Sequence, residues 1–397
     1  MDKAVASHLL PALHDQAGAG FLAAYSIAAS GEGYFLDRRF EHALLLLFAD
    51  NGSPHAAREA VRRLRIDWSQ VLEAVPMVFT PRSLQRHVRL FPLFGQHLAG
   101  HAQCLSGQAL PLNGVTKPQA VERLAFLITA AIDASAALVP SRAEPHSLPQ
   151  LRRLVRQLSG KETAPETSAA DLFAQVQVYL RLFVDSLPAM ASRRAPVVKT
   201  SAEPNLLAFY EDQQRLLVII PSLSASLLRD IDWNSLARPM PSHLTTLNVA
   251  TTDQLYLTIQ AERSLDFVLG SYRRQWGAEL LANLKVPIRS VYRQAARKPS
   301  DFLVNGVLGS YLLAQNDENV HRIIHDFQNR LLNMRLEHEL LCRRLEKPIT
   351  EPPDALPRRD ELLPERIDAI NEHFDWWATH YVQEMDDCEP DRRLGPP

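Results

Sequence analysis

The 397 residues of this chain are enough for one large domain or two, and with 46% hydrophobic residues a substantial core is expected. The formal net charge is only −2 and no strongly basic face stands out, so nucleic acid is not expected as a partner. Three widely separated cysteines exclude a disulfide framework and favour a reducing, cytoplasmic location.

Glycine is sparse, while alanine, leucine and arginine dominate long stretches, so the chain is predicted to be mainly α. The first predicted helices are, in chain order, Phe40–Ala49, His55–Arg65, Pro81–Leu98, Pro118–Leu138 and Ala169–Leu187. Segments rich in Pro, Ser and Thr lie between them at 140–149, 159–168 and 192–204. They predict a smaller N-terminal helical lobe (1–140), a connection with one helix (141–204) and a larger helical lobe (205–385).

Leu216–Ile220 is a short, partly β-branched run that predicts a strand, but it is too isolated to imply a sheet. No internal repeat is evident. The N-terminus has no continuous apolar segment before His14, so neither a signal peptide nor a membrane-spanning helix is expected. No nucleophile elbow, phosphate loop, dinucleotide fingerprint or zinc-protease motif occurs, so hydrolase, kinase and dehydrogenase functions have no support.

A second strong helix is predicted to begin near Asp253, a cap that follows two threonines. One face of it presents Leu257, Ala261, Leu265, Val268 and Tyr272. Its polar face carries Arg263, Arg273 and Arg274, which could hold carboxylates of a cofactor or substrate through charge-assisted bonds. Surface helices carry arginine routinely, so a purely solvated role for these side chains stays open.

The most informative segment is the helix-like run from Asn319 to Glu346. Its apolar positions recur in alternating steps of four and three residues, the spacing of one face of a packed helix. They are Val320, Ile324, Phe327, Leu331, Met334, His338, Leu341 and Leu345. His338 is therefore expected to face the core, and Cys342, four residues on, projects from nearly the same face.

A neutral imidazole in an apolar wall is a good axial ligand for haem iron. The alternative, that His338 is a hydrogen-bonded core residue and Cys342 a small buried hydrophobe, stays open. There is no Cys-x-x-Cys-His signal for c-type haem attachment, so any thioether at Cys342 is expected to form spontaneously.

The segment Asn333–Glu346, NMRLEHELLCRRLE, resembles the proximal-histidine helix of the indoleamine/tryptophan 2,3-dioxygenase superfamily. Its His-x-x-x-Cys ending narrows the resemblance to the haem-dependent tyrosine hydroxylases of that superfamily, which are natural-product enzymes. The resemblance implies a helical haem-binding fold in which His338 ligates the iron and Cys342 forms one thioether bond to the haem. It also implies peroxide-driven hydroxylation of tyrosine or a ring-methylated tyrosine to a catechol. Arg263 becomes a weak candidate for contacting the haem.

The match covers about 15 residues, and the family's second, upstream histidine has no obvious counterpart. Candidates for a distal or catalytic group are His321, His325, His97 and His101. His243 is the next histidine before His321. At about 100° per residue, His325 lies some 220° around a straight helix from His338. His325 and His338 could therefore contact the same haem only if the helix broke between them.

Three functions are carried forward: the haem-dependent hydroxylase, an indole-ring dioxygenase that uses O2, and a non-enzymatic helical interaction protein in which His338 is a core residue. The first two require a small aromatic amino-acid substrate and, for the hydroxylase, hydrogen peroxide. Homo-oligomerisation is plausible on base rates, and no membrane is involved. Phe374, Trp376 and Trp377 are expected to dock a C-terminal helix, and residues 386–397 are expected to be a disordered tail.

Overall fold

The structure is a computed structural model. It describes residues 5–28, 30–31, 34–35, 42–72, 74–110, 112, 120–138, 147–185, 208–211, 215–220, 228, 231, 246–260, 272–281, 285–350, 352, 361–389 and 393–394. The fold is mainly α-helical, as predicted, but it also contains two four-stranded mixed sheets that the sequence did not lead us to expect.

The α-helices have the bounds α1 Leu10–Ala17, α2 Ser53–Arg63, α3 Trp68–Val71, α4 Pro81–Leu90, α5 Pro92–His101, α6 Ala120–Ala134, α7 Ser147–Ser159, α8 Ala169–Asp185, α9 Thr252–Gln260, α10 Ile288–Phe302, α11 Leu308–Leu313, α12 Asp317–Leu345 and α13 Leu363–Asp387. The strands are β1 Phe21–Ala28, β2 Ser30–Gly31, β3 Tyr34–Phe35, β4 His42–Phe48, β5 Met77–Phe79, β6 Ala102–Gly107, β7 Ala208–Glu211, β8 Arg215–Ile219, β9 Thr246–Ala250, β10 Arg273–Gly277, β11 Val286–Pro287 and β12 Arg393–Leu394. Short turns of other helix types occur at Val5–Leu9, Gly18–Gly20, Ser135–Leu138 and Leu303–Val307.

The first sheet has the order β5-β4-β1-β6. Strand β1 pairs antiparallel with both β4 and β6, whereas β4 and β5 are parallel. Strand β4 is buried along nearly its whole length, which explains its run of four leucines, because a central strand covered on both faces needs apolar residues at every position. The helix predicted at Phe40–Ala49 is therefore wrong.

The second sheet has the order β10-β7-β8-β9. Strand β7 pairs antiparallel with β8 and β10, and β8 is parallel to β9. The strand predicted at Leu216–Ile220 is confirmed as β8, but it is a central strand of this sheet and is not isolated. With strands counted in chain order, both sheets have the arrangement 3-2-1-4 and the same strand directions.

The register of the two sheets agrees at the level of single residues. Ala23 lies opposite Leu47 and Gly107 in the first sheet, and Ala208 lies opposite Ile219 and Gly277 in the second. In both sheets one residue of the last strand is then bulged out between the second and third positions of the pairing, at 105 and at 275.

Matching residues stabilise the end of the last strand in both sheets. Tyr25 and Tyr210 lie at equivalent positions, and each hydroxyl donates to the carbonyl of the residue that follows the last strand, Gln108 and Ala278. Gly107 and Gly277, which end those strands, both have a positive φ, 91° and 89°. Only glycine adopts this conformation without strain, so the same local requirement recurs in both halves.

The helix that follows the third strand begins in the same way in both sheets. The Thr80 hydroxyl accepts from the backbone N–H of Ser83, and the Ser83 hydroxyl accepts from the N–H of Thr80. Thr251 and Gln254 repeat this reciprocal capping box at the start of α9. The cap of α9 is thus Thr251, and not Asp253 as predicted. We conclude that the chain contains an internal structural repeat, which corrects the expectation that there is none.

The described contacts divide the chain into two compact units. The first comprises 1–31, 39–117 and 292–388, and the second 32–38, 118–291 and 389–397. The first sheet therefore shares its unit with the helices that follow the second sheet, and the second sheet shares its unit with the helices that follow the first. The predicted lobes are consecutive along the chain, and both of their boundaries fall inside 118–291, so those lobes stay a prediction.

Specific contacts show this exchange of helices. In the second unit, the Val249 N–H on β9 donates to the Ser135 hydroxyl in the turn after α6, at 2.8 Å. In the first unit, a Cβ added to Gly309 on α11 would lie 2.2 Å from the Pro76 carbonyl oxygen just before β5. Each sheet is thus covered by helices that belong to the other half of the sequence.

Other predicted elements have mixed outcomes. The helices predicted at His55–Arg65 and Ala169–Leu187 are confirmed as α2 and α8, and that at Pro118–Leu138 as α6 with the turn after it, apart from the few residues outside the described ones. The helix predicted at Pro81–Leu98 is divided into α4 and α5 at Phe91–Pro92, because proline cannot donate the next helical hydrogen bond.

The helix predicted to begin near Asp253 is wrong at its C-terminal end, because Arg273 and Arg274 lie on strand β10. Residues 261–271 are outside the described residues. The tail prediction is also wrong in part: α13 continues to Asp387, and β12 pairs antiparallel with β11.

Candidate functional site

The helix that contains His338 forms as predicted. Asn316 caps α12 by accepting from the backbone N–H of Asn319 at 2.9 Å, and the helix ends where Glu346 adopts the left-handed conformation. The predicted core face is buried along the whole helix, and it includes His338, 3% exposed, and Cys342, 6% exposed. Leu341 is the one predicted position that is only half-buried, and Cys342 takes its place.

The partners of His338 come from its own helix, from α13 and from the backbone of Thr350. Its Nδ1 lies 3.1 Å from the Tyr381 hydroxyl, and its Nε2 lies 3.3 Å from Cys342 Sγ. The Trp377 ring is 4.7 Å from the imidazole, centroid to centroid. Both ring nitrogens of this buried histidine thus have a polar neighbour, which is what a stable core position requires.

A wider group of side chains surrounds His338 and Cys342, and we call all of these side chains together the His338 cluster. His380 lies one residue before Tyr381, with its ring 5.6 Å from that of His338, and it stacks on Trp376 at 4.9 Å and 7°. One turn further on, Glu384 forms an ion pair with Lys347, whose ammonium lies 5.1 Å from the centre of the Tyr292 ring. The charged groups therefore lie at the edge of the cluster, and the aromatic rings lie inside it.

The electrostatics keep this cluster neutral. Burial, with a smaller contribution from His380, lowers the pKa of His338 to about 4. Burial also raises the pKa of the Cys342 thiol and that of the Tyr381 phenol. Near pH 7 the imidazole is unprotonated and the thiol and phenol are protonated. This arrangement supplies a neutral imidazole, but its pKa is too low for efficient general acid–base chemistry at that pH.

A haem at His338 would need one open imidazole nitrogen and room for the macrocycle beside it. The structure shows Tyr381 at one nitrogen and Cys342 at the other, between two packed helices whose axes are typically about 8–10 Å apart. An iron bound at either nitrogen would need the place that the Tyr381 hydroxyl or Cys342 Sγ occupies. As they stand, the described residues around His338 do not fit a haem, and the assignment of iron ligation and thioether formation to His338 and Cys342 stays a prediction.

The other candidate histidines do not join this cluster. His321 and His325 are exposed on α12, where His321 Nδ1 lies 3.4 Å from the guanidinium of buried Arg366. His97 is buried on α5, and its Nε2 donates to the Ala28 carbonyl at 2.5 Å; the exposed His101 ring is 4.7 Å away. Among the described contacts of His338, none of these four histidines packs against its ring or forms a hydrogen bond with it.

Two further candidates, Arg263 and His243, lie outside the described residues. Phe374 and Trp377 dock α13 as predicted, with 0% and 2% of their surfaces exposed, whereas Trp376 is half-buried.

Sequence reasoning missed a second polar constellation. His55 Nδ1 on α2 lies 3.0 Å from the Tyr311 hydroxyl on α11, and His55 Nε2 lies 2.7 Å from Asp368 Oδ1 on α13. The Tyr311 ring is buried, and Arg58 lies over it at 4.9 Å. No spacing rule could reveal this group, because its members are separated by more than 50 residues along the chain and meet only when three helices pack.

The face of α12 opposite His338 is unusual in another way. Leu332, Leu336 and Leu340 are 45%, 58% and 59% exposed and follow one another at intervals of four residues. We call these three side chains the leucine face. Arg335 and Glu339 border one edge of it and form an ion pair at 3.6 Å. Single exposed leucines are ordinary, but a continuous row on one helix is typical of a binding surface.

Comparison with known proteins gives no assignment, because no family model, no curated protein and no solved structure matches this chain. Within the part of the chain that the structure describes, no helix is both long enough and apolar enough to cross a membrane. The same residues contain no group of three or more His, Cys, Asp or Glu side chains placed to hold a metal ion.

Proposed function

We propose that this protein is a non-enzymatic interaction protein that binds through the leucine face of α12. The observation that carries the proposal is the exposure of Leu332, Leu336 and Leu340 along two turns of a helix whose other side is fully packed. Apolar anchors about one turn apart along one helix face are the pattern with which a helix recognises another protein surface.

The closed state of the His338 cluster supports a binding function over catalysis. Its thiol and phenol are buried and protonated, and its imidazole has a partner at each nitrogen. A reactive group has to reach substrate, whereas a packed cluster of this kind fixes the orientation of α12 against α13. The cluster then serves to present the leucine face on a rigid helix.

Site-specific photo-crosslinking in cells tests this function. A photoreactive residue in place of Leu336 should give a covalent adduct of defined mass after irradiation, because this side chain is at the centre of the leucine face. The same residue in place of Leu148, a singly exposed leucine on α7, is the matched control and should give none. If position 336 gives no more adduct than position 148, the leucine face is not a binding surface and the proposal fails.

The haem-dependent hydroxylation of tyrosine or a methylated tyrosine, with hydrogen peroxide and a haem held by His338 and Cys342, is the second candidate. It rests on the sequence resemblance and on one property of the structure, namely that burial keeps the His338 imidazole in the neutral form that ligates iron. For a haem to bind, α12 and α13 would have to separate at Tyr381. An indole-ring dioxygenase using O2 would need the same opening.

An absorption spectrum of the purified protein, before and after haem addition, separates these candidates. A Soret band that is lost in His338→Ala but retained in Leu336→Lys would favour the haem enzyme. Acid-acetone extraction and intact mass would then show whether Cys342 forms a thioether. A protein that stays colourless after haem addition excludes both haem functions.

A further inference from the structure

We infer that the partner of the leucine face is a second copy of this chain, bound through an antiparallel α12–α12 contact about a two-fold axis at residue 337. This inference rests on the proposed function and names the occupant of that surface. Two independent features of α12 support this inference, namely the spacing of the leucines and the order of the charges beside them.

The leucine spacing is self-complementary in this register. When two copies of α12 run antiparallel about residue 337, Leu336 of one copy falls opposite position 338 of the other, midway between the second copy's Leu336 and Leu340. In the same way Leu340 falls midway between the second copy's Leu332 and Leu336. Leu336 and Leu340 thus each enter a gap between leucines, whereas Leu332 falls opposite position 342, between Leu340 and Arg344 of the second copy. This is the ridge-into-groove packing expected of rows spaced by four residues.

The charges agree with the same register. Arg335 and Glu339 border one edge of the leucine face, and the two residues are equally far from 337. In an antiparallel pair like edges meet, so Arg335 of one copy lies opposite Glu339 of the other, and the two-fold axis repeats this contact. The two intrahelical ion pairs then join into one group of four alternating charges, and the helix dipoles are also opposed favourably.

Other described charges on α12 lie at the opposite edge of the leucine face or beyond its ends. Glu337 borders the opposite edge and meets its own counterpart at the axis, but each Glu337 forms an ion pair with Lys298 of α10. Asp326 and Arg330 pair with each other at 3.0 Å, about three and two turns before the centre of the contact.

Arg343 and Arg344 follow the leucine face at its C-terminal end and lie opposite positions 331 and 330 of the other copy, about two turns from the axis. Next to the axis, the self-complementary match is that of Arg335 with Glu339.

The size of the surface predicts a weak dimer. One helix crossing with three leucines from each copy buries much less than the about 1,200–2,000 Å² of a stable interface. Association should therefore depend on protein concentration and be rapidly reversible.

Sedimentation velocity of the full chain over a range of concentrations tests this inference. The wild-type protein should shift from monomer towards dimer as its concentration rises, and Leu336→Lys should stay monomeric. Arg335→Glu or Glu339→Arg alone should weaken the dimer about tenfold, since each places two like-charged contacts across the axis. The double variant Arg335→Glu with Glu339→Arg should regain most of the lost affinity, because the exchanged charges match again.

A control separates this effect from the loss of an intrahelical ion pair. Arg63→Glu on α2 breaks the Glu59–Arg63 pair, which has the same four-residue spacing, far along the chain from α12. It should leave the sedimentation of the protein unchanged. Circular dichroism should show equal helix content in all variants.

Two results would overturn the inference. One is a double variant as weak as the single variants, which excludes this register; the other is a wild-type protein that stays monomeric at every concentration. The crosslink at position 336 then decides whether the proposed function survives. An adduct with the mass of a different protein retains the leucine face as a binding surface and removes only self-association, whereas no adduct removes both.

Discussion

The two sheets of this protein share their framework and differ in the chemistry buried around it. Both have the strand arrangement 3-2-1-4, the same bulge, and matched tyrosine, glycine and threonine residues at equivalent points. The buried position seven residues after the capping threonine is His87 in the first half and Thr258 in the second. The two halves thus share their backbone requirements and differ at this interior side chain.

Helices are also exchanged between the two halves of the sequence. Each unit joins a sheet from one half to helices from the other, so neither half of the sequence contains a complete core. The arrangement is what a domain-swapped dimer would become if its two subunits were joined into one chain. Experiments on the whole chain and on single residues can test how far the two halves are equivalent.

Dividing the chain between residues 185 and 208 should have the largest effect. Each piece alone would expose the sheet face that helices of the other piece cover, so we expect neither piece to unfold cooperatively. Co-expression of the two pieces should restore one cooperative transition, followed by circular dichroism during urea titration. If either piece alone unfolds cooperatively, its helices fold back on its own sheet and the exchange is not required for folding.

Replacing the glycines that end the fourth strands should have the next largest effect. In Gly107→Ala, a Cβ would lie 2.1 Å from the Leu22 carbonyl oxygen at a φ of 91°. We expect a loss of about 3 kcal/mol in the free energy of unfolding. Gly277→Ala, at a φ of 89°, should lose a similar amount.

Gly100→Ala is the control for these two variants. A Cβ at Gly100 in α5 meets no atom within 4 Å, and its φ is not positive, so this variant should be neutral or slightly stabilising. Urea titration of all three variants gives the comparison. Equal stability of Gly277→Ala and Gly100→Ala would show that the two strand ends are not equivalent.

Acid sensitivity should separate the two units. Burial lowers the pKa of His338 to about 4 and that of His87 to about 3, and both lie in the first unit. The unfolded chain binds protons at these histidines below about pH 6.5, whereas the folded chain does not, so stability falls as the pH drops from 6.5 towards 4. Between pH 7 and pH 5 each histidine should cost about 2 kcal/mol.

Hydrogen exchange followed by mass spectrometry at these two pH values locates the effect. Peptides of α4, α12 and α13 should lose protection at pH 5 before those of α6 and β8. His338→Gln removes one titrating group, so its loss of stability between pH 7 and pH 5 should be smaller by the contribution of one histidine. Equal loss of protection in both units would contradict this prediction.

How far the sequence predicted the structure depends on the range of the interactions. The burial of His338 and Cys342 could be read from the spacing of apolar residues, because one helix face is a local pattern. Their partner Tyr381 could not, since it is 43 residues from His338 in sequence and meets it only when α12 packs on α13. The same limit hid the contact of His55 with Asp368.

The sheets were missed for a different reason. The leucine run of β4 lacks the two-residue alternation of a half-buried strand, and a short apolar run alone does not distinguish a buried strand from a helix. The repeat was missed because few residues recur, and their separations differ. Tyr25 and Tyr210 are 185 residues apart, whereas Thr80 and Thr251 are 171 apart, so no single sequence offset aligns them.

The capping threonines give the smallest expected effect and the closest comparison between the halves. Thr80→Ala removes the acceptor for the Ser83 N–H, and Thr251→Ala removes the acceptor for the Gln254 N–H, each at 3.2 Å. Each change should lower the free energy of unfolding by about 1 kcal/mol. Thr→Ser at the same positions keeps the hydroxyl and should retain most of that stability. Since α4 and α9 follow equivalent strands, a cap that matters in one half and not in the other would mean that the two helices share a geometry without sharing its energetic role.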